Sequence, residues 1–198
     1  MLLVIDTTAD RCAIGLFDGR VALATLIEPM ARGHAERLAP LIDEALAAAQ
    51  VGRGALTRIG VCEGPGGFTG ARIGVAAARG MALALRIPAV GVDRFEALAA
   101  GLGGALLVTL SAPGGATAFR RFRDGAPVGP AALAAQGDPA LAPRVGEARL
   151  DGGETGGSGL AALAAAAERK GPDRRPAPLY LRPPDAEPPR TGPAPLLS

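Results

Sequence analysis

The glycine-rich segment 64–74 has the composition of a turn that could bind an anion. Its sequence is Gly-Pro-Gly-Gly-Phe-Thr-Gly-Ala-Arg-Ile-Gly, and it joins a short apolar run to a helical pattern. A helix N-terminus presents unpaired backbone N–H groups and the positive end of the helix dipole. The segment lacks the Lys-Ser/Thr pair of a P-loop, and its G-x-G-x-x-x-G spacing departs from the strict dinucleotide-binding pattern. A Rossmann-like cofactor domain is a rival class that explains this turn but not the strands predicted before it.

A carboxylate followed by two hydroxyls, Asp6-Thr7-Thr8, ends the first predicted strand. Together with Gly66 and Gly67, these residues form a candidate site for the phosphates of ATP or ADP. The alternative is an Asx-type turn, in which the Asp side chain only shapes the local backbone. The sequence leaves both interpretations open.

His34 is the one histidine of the chain and begins a predicted helix. A metal site would need a second ligand one turn later, where Leu38 stands, and a zinc or iron site needs about three protein ligands. No Ser or Cys stands in a nucleophile elbow that could pair with this histidine. We therefore expect no metal ion and no catalytic residue.

The elements that must position these residues follow the order βββαβαβα. Three apolar or alternating runs, at 2–6, 12–17 and 21–27, predict an antiparallel meander. The later pattern predicts a helix that begins at Asp93, with Glu96 as its capping partner. The remaining predictions are helices at 34–50 and 69–86 and strands at 59–63 and 89–92. This order predicts an N-terminal α/β lobe over residues 1–102.

A weaker copy of the same order follows and predicts a reduced C-terminal lobe over residues 103–171. Its predicted elements are strands at 105–111, 117–123, 128–129 and 144–150, a short helical piece at 131–136 and a helix at 160–170. Residues 172–198 are rich in Pro and Arg. They predict a tail that docks briefly through the apolar sequence Leu-Tyr-Leu at 179–181.

Composition and charge disfavour direct reading of RNA sequence and insertion into a membrane. The net charge is only +2, no basic run occurs, and one tyrosine and five phenylalanines leave few platforms for stacking bases. Cys12 and Cys62 lie in apolar runs, which indicates buried reduced thiols. The N-terminus lacks a signal-peptide pattern, and no stretch approaches the roughly 20 apolar residues of a membrane span. We expect a cytoplasmic protein with no membrane contact.

The predicted helix at 69–86 contains Gly70, Gly74 and Gly80. Each glycine lowers helix stability by about 1 kcal/mol relative to alanine, so close packing must offset the loss. Gly70 and Gly74, with neighbouring small residues, could form a stripe against which another helix packs. Packing within the chain and packing against a partner protein both remain open.

These features together resemble the TsaB (YeaZ) family. The resemblance spans nearly the whole chain and rests on Asp6-Thr7-Thr8, His-Ala-Glu-Arg-Leu at 34–38, the block at 64–74 and Pro-Leu-Tyr-Leu-Arg-Pro-Pro-Asp-Ala at 178–186. It implies an α/β fold of the actin-like, ribonuclease H-like superfamily, with two βββαβαβα lobes of which the second is truncated. One segment, Ser-Ala-Pro-Gly-Gly-Ala-Thr-Ala at 111–118, lacks the acid, arginine and tyrosine of the family pattern.

The resemblance also implies a function. Members of the family support threonylcarbamoylation of the adenosine next to the anticodon in tRNAs that read ANN codons. They are understood as noncatalytic subunits that bind and activate the transferase TsaD and, with it, the ATPase TsaE. The implied contacts with tRNA are indirect, a homodimer is implied when TsaD is absent, and ATP or ADP at the TsaD interface is the one candidate cofactor. The alternatives are an ATP/ADP-binding actin-like module and a metal-dependent transferase or peptidase-like enzyme that acts through His34.

By the same resemblance, the two long helices carry the contacts with TsaD. In TsaD the first of these helices bears two metal-binding histidines, of which only His34 has a match here. The expected contacts on the first helix are Leu38, Leu41 and Ile42. Those on the second helix are Phe68, Arg72, Ile73, Gly74, Ala76, Arg79 and Leu83.

Overall fold

The computed structural model describes residues 1–152, 157–171 and 175–181. The first of its two sheets has five strands in the order β3-β2-β1-β4-β5. β1, β2 and β3 form the expected antiparallel meander, whereas β4 and β5 run parallel to β1. The strands are Leu2–Ala9 (β1), Arg11–Asp18 (β2), Val21–Pro29 (β3), Arg58–Cys62 (β4) and Ala89–Val92 (β5).

Helices cover both faces of this sheet. α1 (His34–Ala48) and α2 (Phe68–Leu85) pack on one face, and their buried side chains join those of β1, β2 and β4 in one hydrophobic core. α3 (Arg94–Ala99) begins with the predicted capping box, because Asp93 accepts a hydrogen bond from the N–H of Glu96 while the Glu96 carboxylate accepts one from the N–H of Asp93. α4 (Gly157–Arg169) packs on the opposite face.

The second sheet repeats part of the first. β6 pairs antiparallel with β7 and parallel with β10, as β1 pairs with β2 and β4. The strands are Ala105–Ser111 (β6), Thr117–Arg123 (β7), Ala126–Pro127 (β8), Ala132–Ala134 (β9) and Glu147–Gly152 (β10). The expected α/β class with two related sheets is confirmed, and two strands of the second sheet, β8 and β9, are only two and three residues long.

Three expectations for the second lobe are wrong. Residues 128–129 are not a strand, because the short strand in this region, β8, ends at Pro127. The predicted helical piece at 131–136 contains strand β9 instead, because Ala132–Ala134 pairs antiparallel with β7 and this pairing overrides the helix propensity of alanine. α4 does not belong with the second sheet. Its Leu160 and Leu163 pack against Val4 and Cys62 of the first sheet, so the chain returns to the N-terminal lobe.

The predicted tail is described only at residues 175–181, and the rest of it lies outside the described residues. Among the described residues, no helix combines the length and apolar character needed to cross a bilayer.

Candidate functional site

The Asp6-Thr7-Thr8 turn is a local irregularity within β1, where the register with β2 shifts; it is buried, and its polar atoms bond within the chain. Asp6 is 1% exposed, and its Oδ1 accepts hydrogen bonds from the N–H and the hydroxyl of Thr8 at 3.0 and 2.6 Å. The hydroxyl of Thr7 donates to the carbonyl of Gly70 at 2.7 Å. The guanidinium of Arg11 lies 3.4 Å from Asp6 Oδ2. This is the geometry of the Asx-type turn, reinforced by an ion pair.

The glycine-rich turn between β4 and α2 packs directly on this buried turn. The N–H of Gly67 donates to the carbonyl of Thr8 at 2.7 Å. A Cβ at Gly66 would lie 2.1 Å from that same carbonyl oxygen. The structure therefore brings together all five residues of the candidate nucleotide site. Their described hydrogen bonds hold β1 against the start of α2, so the arrangement supports a structural role.

His34 is also part of this junction. Its Nε2 lies 3.3 Å from the carbonyl oxygen of Ala9 and 3.2 Å from that of Arg11. Both neighbours are carbonyl oxygens, so the tautomer of His34 that carries its proton on Nε2 donates to them. Within the described ranges, no three His, Cys, Asp or Glu side chains are placed to hold a metal. This geometry gives His34 a structural role, in which it ties α1 to the β1–β2 turn.

Gly74 and three α1 residues lie in the interior, which corrects their expected role as surface contacts. A Cβ at Gly74 would lie 2.5 Å from the hydroxyl oxygen of Thr7. Leu38, Leu41 and Ile42 are buried in the core because the apolar stripe of α1 faces the sheet. The side of α2 that carries Gly70 and Gly74 thus serves packing within the chain.

The opposite side of α2 faces solvent and is built of small and apolar residues. Gly80 lies about 120° around the helix from Gly74, and a Cβ there would meet no atom within 4 Å. Leu83 is 81% exposed. Ile73 is half-buried at one margin. We call the exposed residues Thr69, Ala76, Gly80 and Leu83 the outer stripe of α2.

Arginines border the outer stripe on its other margin. Arg72 and Arg79 are exposed and lie seven residues apart, which places them along one side of the helix. The exposed Arg86 follows as the C-cap residue, in the left-handed conformation. At the start of this row, the Arg72 guanidinium carbon lies 3.6 Å above the ring of Phe68. The surface thus combines an apolar centre with a positive margin.

Asp93 links the two sheets. Its carboxylate caps α3 and forms an ion pair with Arg120 of β7. Burial, followed by the nearby Glu96 carboxylate, raises the pKa of Asp93 to about 6, although the cap and Arg120 act in the opposite direction. This buried link holds the second sheet next to the N-terminal lobe.

Comparisons with known proteins agree with the fold and the sequence pattern. An uncharacterised protein of Mycobacterium tuberculosis is 34% identical to this chain over 201 residues, which covers 94% of each chain. The tRNA threonylcarbamoyladenosine biosynthesis protein TsaB of Escherichia coli is 33% identical over 101 residues, which covers 50% of this chain and 43% of TsaB. The structure of YeaZ from Pseudomonas aeruginosa matches with a TM-score of 0.66 at 23% identity, over 91% of this chain and 99% of that one.

The chain belongs to the TsaB/YeaZ family. At 23% identity, the YeaZ structure supports the fold alone. A further match, to the family model described as TsaD, tRNA N6-adenosine threonylcarbamoyltransferase, covers residues 28–120. That range contains α1 and α2 and therefore the whole outer stripe.

Three residues on or against the exposed side of α2 in this TsaB/YeaZ protein, Thr69, Gly80 and Tyr180, are not among the contacts expected from the sequence. Gly80 shares its residue type with Gly70 and Gly74, but the helical period places it on a different side from Gly74. Thr69 lies on the same exposed side as Gly80. Tyr180, predicted only as part of a docking tail, contacts Phe68 and Arg72. The helical period could have identified the first two, whereas no local signal places the tail on α2.

Proposed function

We propose that this chain is a noncatalytic subunit that binds a TsaD transferase through the outer stripe of α2. By this binding it supports formation of threonylcarbamoyladenosine in tRNA, in the cytoplasm. The biosynthetic role follows from the homologues named TsaB, and the choice of partner is supported by the TsaD-like match over residues 28–120.

The observation that carries the proposal is the solvent-facing side of α2. A helix of 18 residues with an exposed leucine and only small residues at its outer centre leaves apolar surface uncovered. Burying a leucine side chain stabilises an interface by roughly 2 kcal/mol. Glycine and alanine let a second helix approach closely, which increases dispersion contacts. An interface of standard size buries about 800 Å² on each partner, and neighbouring elements such as α1 would contribute the rest.

The kinship with TsaD suggests how the two proteins pair. A transferase that shares the fold of residues 28–120 carries helices equivalent to α1 and α2. Two related helix pairs can pack face to face about a pseudo-twofold axis. The same surface can pair with a second copy of this chain when TsaD is absent, as isologous interfaces do.

In this proposal, the chain meets its other partners, TsaE, tRNA and the nucleotide, through its complex with TsaD. TsaE joins through the complex, tRNA is contacted through TsaD, and ATP or ADP belongs to the TsaD interface. In the described residues, the buried turn at Asp6, the glycine-rich turn and His34 have structural partners, which supports a noncatalytic role for this chain.

The test is reconstitution with TsaD and TsaE from the same organism. We expect TsaD to co-purify with this chain. Modification of tRNA supplied with the threonylcarbamoyl donor and ATP should require both proteins, while this chain alone should modify none. Full modification by TsaD and TsaE without this chain, or a failure of TsaD to co-purify, would contradict the proposal.

A further inference from the structure

The tail segment 175–181 is fixed to the start of the β4–α2 turn by one buried residue. Glu63 is 2% exposed, and its Oε1 accepts a hydrogen bond from the N–H of Ala177 at 2.7 Å. Its backbone carbonyl accepts one from the N–H of Leu179 at 2.8 Å. Leu179 and Leu181 pack against the hydrophobic cluster of the second sheet. The position of the intervening Tyr180 is therefore set from both sides.

Tyr180 projects onto the first turn of α2. Its ring centroid lies 4.9 Å from that of Phe68, and its hydroxyl oxygen accepts a hydrogen bond from Arg72 Nε at 2.7 Å. The Arg72 guanidinium therefore stacks on the Phe68 ring, and its Nε edge donates the hydrogen bond to the Tyr180 hydroxyl. Two aromatic side chains thus fix the orientation of one arginine.

This cluster of three residues remains open to a partner. Phe68 is 39% exposed and Tyr180 is 41% exposed. Among the described residues, no hydrogen-bond acceptor contacts Nη1 or Nη2 of Arg72. The edge of a guanidinium formed by its two Nη atoms binds a carboxylate through two parallel hydrogen bonds. Arg79 continues the positive charge along the same margin of α2.

We infer that the tail segment is part of the docking surface and that Tyr180 positions Arg72 to bind a carboxylate on a helix of the partner. The inference rests on the proposed function, because the partner is TsaD. The inference therefore requires a TsaD helix with small or apolar residues opposite the outer stripe and acidic residues opposite Arg72 and Arg79. An arginine held in its bound orientation loses less conformational entropy on association.

The test is calorimetric titration of TsaD with the full chain and its variants. Tyr180→Phe keeps the ring and removes the acceptor for Arg72, and we expect it to weaken binding about three- to tenfold. Arg72→Ala should weaken binding by tenfold or more, as expected for a charge-assisted hydrogen bond. In the Arg72→Ala background, Tyr180→Phe should have no further effect, which a purely structural role of the tyrosine would not produce. Arg123→Ala, an exposed arginine of β7, is the matched control.

The outcomes separate the inference from the proposed function. Wild-type affinity in both Tyr180→Phe and Tyr180→Ala, with unchanged melting temperatures, would overturn the inference while the binding of TsaD stands. Tighter binding by Tyr180→Ala would also overturn it, because the tail would then cover the surface instead of extending it. Absence of binding by the wild-type chain would overturn both.

Discussion

The carbonyl oxygen of Thr7 lies where a side chain at Gly70 would begin: a Cβ there would stand 1.9 Å from that oxygen. No real Cβ tolerates such a contact, so the first turns of α2 lie directly on the backbone of β1. The Thr7 hydroxyl donates to the Gly70 carbonyl across the same contact. The glycines of this side of α2 therefore belong to the fold, and the surface open to a partner lies on the other side.

Alanine substitutions at two glycines of the same helix should change stability in opposite directions. Gly70→Ala forces a backbone clash of about 3 kcal/mol, which exceeds the helix-propensity gain of about 1 kcal/mol. Gly80→Ala meets open space and should raise the free energy of unfolding by about 1 kcal/mol. Urea unfolding followed by circular dichroism measures both. Equal shifts in the two variants would contradict the assignment of the two sides of α2.

Replacement of His34 should affect stability and leave metal content unchanged. His34→Ala removes the donor to the carbonyls of Ala9 and Arg11, so we expect a loss of about 2 kcal/mol in the free energy of unfolding. Elemental analysis of both proteins should find less than stoichiometric zinc and iron. A stoichiometric metal that disappears in His34→Ala would instead support the metal-dependent enzyme.

Asp93 should make the chain less stable as the pH rises through the range from about 4 to about 6. Its pKa is raised from 3.8 to about 6, so the folded state binds a proton that the unfolded state has lost. That stabilisation is complete below pH 4 and absent above pH 6. Between pH 4.5 and 7.5 we expect the free energy of unfolding of the wild type to fall by about 2 kcal/mol relative to that of Asp93→Asn. Asparagine is the matched replacement because it is also a good N-cap residue. If the free energies of unfolding of the two proteins, measured by urea unfolding, change in parallel with pH, Asp93 does not titrate in this range.

Both cysteines should be inert in the folded protein. Burial raises the pKa of Cys12 to about 11 and the pKa of Cys62 well above its usual range. Thiolate is the reactive form, so a thiol reagent at pH 8 should label neither residue until denaturant is added. Rapid labelling of one thiol in native buffer would show that its strand opens locally.

The order of elements in the N-terminal lobe could be predicted from hydrophobic period and turn residues, and so could the cap at Asp93. The helical period groups Thr69 and Gly80 on one side of α2, but it could not predict which side of the helix faces solvent. The helix carries small residues on both sides, and the side against the sheet is decided by Thr7, which lies 63 residues before Gly70. The strand at Ala132–Ala134 and the contact of Tyr180 with Arg72 depend in the same way on pairing between distant segments. Such contacts between distant segments cannot be predicted from local sequence patterns.

The most direct test of the central claim is the affinity of TsaD for Gly80→Leu. The substitution removes a helix glycine at an exposed position, so the fold should melt at a higher temperature, while the new side chain occupies the centre of the outer stripe. Ala165→Leu places the same side chain on the exposed side of α4 and serves as the control. We predict that TsaD binds the control as it binds the wild type, and that Gly80→Leu weakens binding by about a hundredfold or more. Wild-type affinity in Gly80→Leu would contradict the assignment of the outer stripe as the TsaD-binding surface.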